Sequence, residues 1–191
     1  MKLQNVIVFM GAPGSGKGTQ TKLLAAKLGY VFFSTGELSR EYAKQDTEFG
    51  RKVKSIIDQG IILPIEMIQV IFSKKFEEIM DSPGVILDGY PRTIEQAQLL
   101  EKLMSQHSIQ NLTAVFLEVD RASLLQRLSL RAKAEDRADD DLASVAKRFD
   151  EYILKTAPVK EYYETKGLLI EINGDQSIEA VHEEILMKLG M

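Results

Sequence analysis

The chain has 191 residues, 45% hydrophobic and 27% charged, with a formal net charge of -4 and a pI near 5.4. That length supports one well-buried core, and the mild acidity argues against a bulk nucleic-acid or membrane-surface binder, so any anion must be met by local arginines inside a pocket. Cysteine is absent, which excludes disulfides and thiolate zinc sites. The longest apolar runs, VIVFM and GIILPI, are far short of a membrane span, and the first residues carry no leader pattern. A cytoplasmic enzyme or binding protein is the expectation.

In chain order, short runs rich in Val, Ile, Leu and Phe predict strands at Val6–Met10, Val31–Ser34, Val85–Leu87, Ala114–Val119 and Leu168–Ile172. Helical spacing is found at Lys17–Leu28, Ile65–Met80, Ile94–His107, Ala122–Arg131, Leu142–Lys166 and Ile178–Leu189. Strands separated by helices predict an α/β fold, a mainly parallel sheet covered on both faces with right-handed crossovers. Two segments break the alternation. Between Ser34 and Leu63 the chain runs through two or three helical pieces without a strand, bounded by Gly36 and Gly60. The stretch AKAEDRADDD, Ala132–Asp141, is charged and has no apolar face, so its composition alone reads as a solvated loop.

The first strand leads into GAPGSGKGT, residues 11–19, and then into a helix. Strand, glycine-rich turn and helix is the context of a phosphate-binding loop. Backbone N–H groups point inward there, and the helix start adds partial positive charge. Side chains at Gly14, Gly16 or Gly18 would intrude on the phosphates or forbid the turn, and Lys17 would reach the β- and γ-phosphates as a point charge. The usual Ser or Thr after the lysine is replaced by Gly18, with Thr19 one place later. Asp88, at the end of the third strand, is therefore the carboxylate expected to hold a magnesium ion through its waters.

The chain has eight arginines, and six lie where a ligand at the sheet's carboxyl edge would be met. Arg40 follows STGEL and Arg92 ends LDGYPR, each just past a strand. Arg127 and Arg131 are four apart on one helical face. Arg137 and Arg148 share a face if the residues between them are helical. His107 and His182 lie in amphipathic stretches and read as surface residues.

Together GAPGSGKGTQ, FSTGELSR, LDGYPRTIEQAQ, EDRADDD with KRFDEY, and TAPVKEYY closely resemble the adenylate kinase family, in its order and spacing, from Val6 to about Ile178. The resemblance implies reversible phosphoryl transfer from MgATP to AMP, giving two ADP. It also implies a single phosphate-loop kinase domain with a five-stranded parallel core at 1–33, 64–129 and 139–191, an AMP-binding insertion at 34–63 and a short lid at 130–138. Gly14, Ser15, Gly16, Lys17, Gly18 and Thr19 would hold ATP phosphates, Arg127 would stack on the ATP base, Arg131 would grip its phosphates, and Gln176 would meet its adenine through its backbone. Thr35, Gly36, Arg40, Ile61, Ile62, Leu63, Gly89, Tyr90, Pro91, Arg92 and Gln96 would form the AMP site, with Arg137 and Arg148 closing on the transferred group. Lys17, Arg92, Arg131, Arg137 and Arg148 are then the catalytic set. Gln96 is expected to pair its amide with adenine N1 and the 6-amino group.

Only five residues separate Arg131 from Arg137, so the lid is the short kind and carries no zinc. Glu37 and Ser39 stand where relatives commonly carry Asp and Leu. Asp139 and Asp140 read either as orienting the lid arginines or as a helix amino-terminal charge effect. The resemblance makes a monomer the default. Two rivals remain at this stage: a uridylate–cytidylate kinase of the same fold, and a nucleotide-gated binding module without an acceptor site.

Overall fold

The computed structural model describes residues 3–135 and 142–191. Its centre is a five-stranded sheet in the order β2-β3-β1-β4-β5, with every neighbouring pair parallel. The strands are β1 (Asn5–Met10), β2 (Val31–Ser34), β3 (Gly84–Asp88), β4 (Asn111–Glu118) and β5 (Leu169–Asn173). The helices are α1 (Lys17–Leu28), α2 (Thr35–Ala43), α3 (Glu48–Ile57), α4 (Ile65–Ile79), α5 (Ile94–Gln106), α6 (Arg121–Glu135), α7 (Leu142–Glu151), α8 (Ala157–Glu164) and α9 (Ile178–Lys188). A π-helical turn, Tyr152–Thr156, joins α7 to α8. Among the described residues, no helix is long and apolar enough to cross a membrane.

Strand β1 shows how the sequence makes two layers. Its side chains alternate faces, so Val6, Val8 and Met10 enter one core while Ile7 and Phe9 enter the other. The first core collects α3, α4, α5 and α8 through Val53, Ile71, Leu100 and Val159. The second packs Leu24 of α1 and Val181 and Ile185 of α9 against Ile86 and Val115. Because both faces are covered, the strands read as continuous apolar runs rather than as alternating ones. Helices α2, α3, α5 and α9 start at Ser34, Thr47, Thr93 and Ser177, whose side chains accept a backbone N–H three residues on.

The structure departs from the sequence expectation in three places. Helix α6 continues to Glu135 rather than ending at Arg131, so the first four residues of the stretch read as a solvated loop, Ala132–Glu135, are helical, and the remainder of that stretch lies outside the described residues. Strand β4 begins at Asn111 rather than Ala114, because the polar Asn111 and Thr113 still pair with Asn5 and Ile7 of β1. The helix expected over Leu142–Lys166 widens at Tyr152–Thr156, where the Ala157 N–H reaches back to the Tyr152 carbonyl, and it ends at Glu164. Pro158 supplies the reason. It lacks an N–H and its ring presses on the carbonyl four residues earlier, and a wider turn relieves both.

Gly84 opens β3 beneath the Tyr30 ring, and a Cβ there would overlap the ring carbons. Gly84→Ala should therefore cost about 1–3 kcal/mol of stability by urea unfolding, as overpacking does. An unchanged midpoint would mean that the ring is not held in place.

Candidate active site

The strand ends β1, β2 and β3 open into a cavity of about 1470 Å³ at the carboxyl edge of the sheet. The loop after β1 forms its floor. Gly14 and Gly16 have φ of 85° and 92°, in the left-handed region where a side chain is strained. Gly14 is constrained a second way, since a Cβ would come within 2.9 Å of Leu128 Cγ on α6. Gly18 differs. A Cβ there would sit 3.7 Å from Asp88 Oδ2, an ordinary contact, so the fold itself does not demand glycine at that position. Helix α1 has Gly16 at its N-cap, no side-chain cap and no acidic residue in its first turn. Its amino end thus keeps its partial positive charge for a ligand. The Lys17 ammonium donates to the carbonyls of Gly11 and Ala12, at 2.8 and 2.9 Å, and to Ser15 Oγ at 3.2 Å. These contacts hold the charge over the loop, and Thr19 lines the cavity beside it.

Across the cavity, a set of side chains fixes the end of β3. Asp88 is half-buried and its Oδ2 accepts from Ser34 Oγ at 3.3 Å. The Thr35 hydroxyl donates to the Gly89 carbonyl at 2.7 Å, and Arg92 Nε donates to that same carbonyl at 2.7 Å. Gly89 has a φ of 72°, and a Cβ there would come within 2.7 Å of Arg92 Nη2 and 3.1 Å of Thr35 Oγ1. Gly36 leaves room for Arg40 one turn along α2, with a Cβ position 3.3 Å from Arg40 Nη1. Ile61, Ile62 and Leu63, between α3 and α4, form an apolar wall, and Pro91 and Gln96 also line the cavity. Of the two unusual α2 residues, Ser39 is buried and donates to the Thr35 carbonyl, while Glu37 pairs with Lys22 at 2.7 Å.

Two expected contacts take a different form. Tyr90 does not line the cavity. Its ring lies in the core against Phe72, its hydroxyl donates to the Gln96 carbonyl at 3.1 Å, and burial pushes its ionisation far above the usual tyrosine range. It supports the wall from behind. Gln96 was expected to offer both ends of its amide to a base, but its Oε1 accepts from the Arg92 backbone N–H at 2.8 Å. Since that partner is a donor, the bond assigns this end as the oxygen; it occupies one of the oxygen's two lone pairs and leaves the NH₂ unengaged by that bond.

On the outer side, Arg127 bridges two loops. It donates through Nη1 to the Ser15 carbonyl at 3.4 Å and through Nη2 to the Gly174 carbonyl at 2.8 Å. Gln176 lines the cavity near it and donates through Nε2 to the Asn173 carbonyl at 2.9 Å and to Glu184 Oε2 at 2.7 Å. Arg148 enters from α7, with Glu151, Tyr152 and Thr156 along the same rod, three lining residues to which the sequence reading gave no role. The signal for them was present in the motifs KRFDEY and TAPVKEYY, whose spacing carries one helical face toward the cavity. Arg131 follows Arg127 by one turn of α6, but its side chain lies outside the described residues, as do Arg137, Asp139 and Asp140. Neither histidine lines the cavity. His107 caps α5 and His182 lies in α9.

A parallel sheet whose first strand turns through GAPGSGKGT into a helix, with a second set of arginines beyond the neighbouring strands, defines a phosphate-loop nucleotide-binding protein. The family model "Adenylate kinase" matches residues 9–168. The chain is 40% identical over 181 residues to the adenylate kinase of Bacteroides fragilis, covering 95% of each. It is 40% identical over 185 residues to that of Azobacteroides pseudotrichonymphae, covering 97% of this chain and 96% of the relative. To the adenylate kinase of Thermus thermophilus it is 35% identical over 191 residues, the whole of both chains. The chain belongs to the adenylate kinase family.

The Gly89 geometry gives a direct test. Gly89→Ala forces a strained backbone and pushes on the Arg92 guanidinium, so kcat/KM for the acceptor nucleotide should fall at least about ten-fold, or ~1.4 kcal/mol. KM for the donor should stay within about two-fold. Unchanged acceptor kinetics would contradict the expectation that Arg92 meets the acceptor.

Proposed function

We propose that this chain catalyses reversible transfer of the ATP γ-phosphoryl group to AMP, giving two ADP, through the residues described above. The observation that carries this reading is one cavity of about 1470 Å³ lined on two separate sides by cationic side chains. The loop with Lys17 forms one wall and Arg40 with Arg92 the other, in a space larger than the roughly 300–1,000 Å³ usual for a single small ligand.

In this reading, an ionised oxygen of the AMP phosphate attacks the γ-phosphorus while the bond to the β-bridging oxygen breaks, and ADP leaves. No general base is needed because the nucleophile is already an anion. The protein supplies alignment and spread positive charge. Gly14 to Thr19 and Lys17 hold the donor phosphates. Arg92 and Arg40 hold the acceptor phosphate, and Arg148, Arg131 and Arg137 surround the group in transit. Arg127 and Gln176 bound the donor base. Magnesium suits a single carboxylate at the end of β3, because it retains most of its waters and needs few protein ligands. Asp88 would hold those waters, and the ion, when bound, lends charge to the β- and γ-phosphates. Gln96 presents its NH₂ to the ring nitrogen of the acceptor base. Adenine N1 can accept that bond, whereas guanine N1–H and uracil N3–H cannot. We assign the insertion at 34–63 to AMP, and residues 130–138 to a lid that excludes water as the competing acceptor. A monomeric cytoplasmic enzyme using only ATP, AMP and ADP completes the proposal.

A coupled assay with ATP against AMP, CMP, UMP and GMP tests it. AMP should exceed every other acceptor in kcat/KM by at least about ten-fold. Preference for UMP or CMP, or ATP turnover without any acceptor, would contradict the proposal. For Lys17→Met we expect cooperative unfolding to be retained and kcat to drop below a tenth of the parent value. A greater residual rate would mean that Lys17 does not serve the phosphates.

A further inference from the structure

We propose that Thr156 is a positioning residue for Arg92, and that the wide turn Tyr152–Thr156 exists to deliver it. The inference rests on the reading of Arg92 as the acceptor-side arginine. Arg92 lies in the connection between β3 and α5, outside any strand or helix. Its backbone polar groups therefore have no ladder to satisfy them, and partly buried groups of this kind require partners. Side chains from two different elements supply them. Gln96 Oε1 of α5 accepts the Arg92 N–H at 2.8 Å, and the Thr156 hydroxyl donates to the Arg92 carbonyl at 3.0 Å across 64 residues of sequence. The Arg92 Nε then points back to the Gly89 carbonyl at 2.7 Å. The residue is held at its N–H, its C=O and its side chain.

The turn matters because of helical phase. In a regular α-helix each step of four residues rotates by about 40°, so Arg148, Tyr152 and Thr156 would drift by about 80° along the rod. The Ala157 N–H instead bonds to the Tyr152 carbonyl, five residues back, and the wider turn reduces that drift. All three residues line the same cavity. Thr156 is only 9% exposed and sits just before Ala157-Pro158, the pair that prevents the regular helix from continuing. One hydroxyl thus ties the rod carrying Arg148 to the loop carrying Arg92. It sets the spacing between Arg92, which holds the acceptor phosphate, and Arg148, which meets the group in transit from a different element.

Thr156→Val keeps the shape and removes the donor, leaving the Arg92 carbonyl without this partner. Wild-type turnover of ATP with AMP is the first arm, and its absence would defeat the functional reading itself. Given that turnover, Thr156→Val should lower kcat/KM for AMP at least about ten-fold, with KM for ATP within about two-fold. Thr156→Ser, which restores the hydroxyl, should recover to within about three-fold of the parent. If the valine variant does not fold by circular dichroism, Thr156→Ala carries the same comparison. Unchanged AMP kinetics in the donorless variant, an equal rise in both KM values, or a serine variant as impaired as the valine would each overturn the proposal.

Discussion

Everything at the cavity depends on how β3 is paired. Asp88 lies opposite Phe9 of β1 in one register and opposite Ser34 of β2 in the other. A parallel register is fixed by which side chains enter which core, and a slip of one residue would exchange the faces of Val85, Ile86 and Leu87. The cores therefore lock the strand ends. Once they are locked, the phosphate loop after Met10, the α2 start after Ser34 and the Gly89 turn after Asp88 must open side by side.

From that edge outward, the polar groups are arranged before any ligand arrives. Ser34 serves both as N-cap of α2, accepting from the Glu37 N–H, and as donor to Asp88. Thr35 and Arg92 share the Gly89 carbonyl, and Gln96 and Thr156 hold the Arg92 backbone. Side chains locked by such bonds lose less freedom when they engage an anion, which is how electrostatic stabilisation avoids a reorganisation cost. The glycines divide by role. Gly14 and Gly89 are demanded by the fold, through positive φ and close neighbours, whereas Gly18 has room for a side chain among protein atoms. What Gly18 leaves open is space against the mouth of the loop.

Much of the architecture was legible in the sequence because it follows from local rules. Apolar runs locate all five strands to within about three residues, and spacing locates helices from Lys17, Ile65, Ile94 and Ile178 at their observed starts. Family motifs locate most of the cavity lining. What was not legible depends on long-range partners. The early start of β4 is set by pairing with Asn5, not by its own polar residues. The turn at Tyr152 hides inside an unbroken helical pattern, and only Pro158 hints at it. The inward burial of Tyr90 and the use of the Gln96 oxygen by Arg92 cannot be read from spacing, since the same motif allows either end of an amide to face a base.

The account's central claim is that a single cavity holds two nucleotides facing each other. Equilibrium dialysis of the chain against ADP and magnesium measures this directly. The account predicts two ADP bound per chain at saturation, and one ADP for a variant carrying Arg40→Ala and Arg92→Ala. Saturation of the parent chain at one ADP, or loss of both molecules in the double variant, would contradict it.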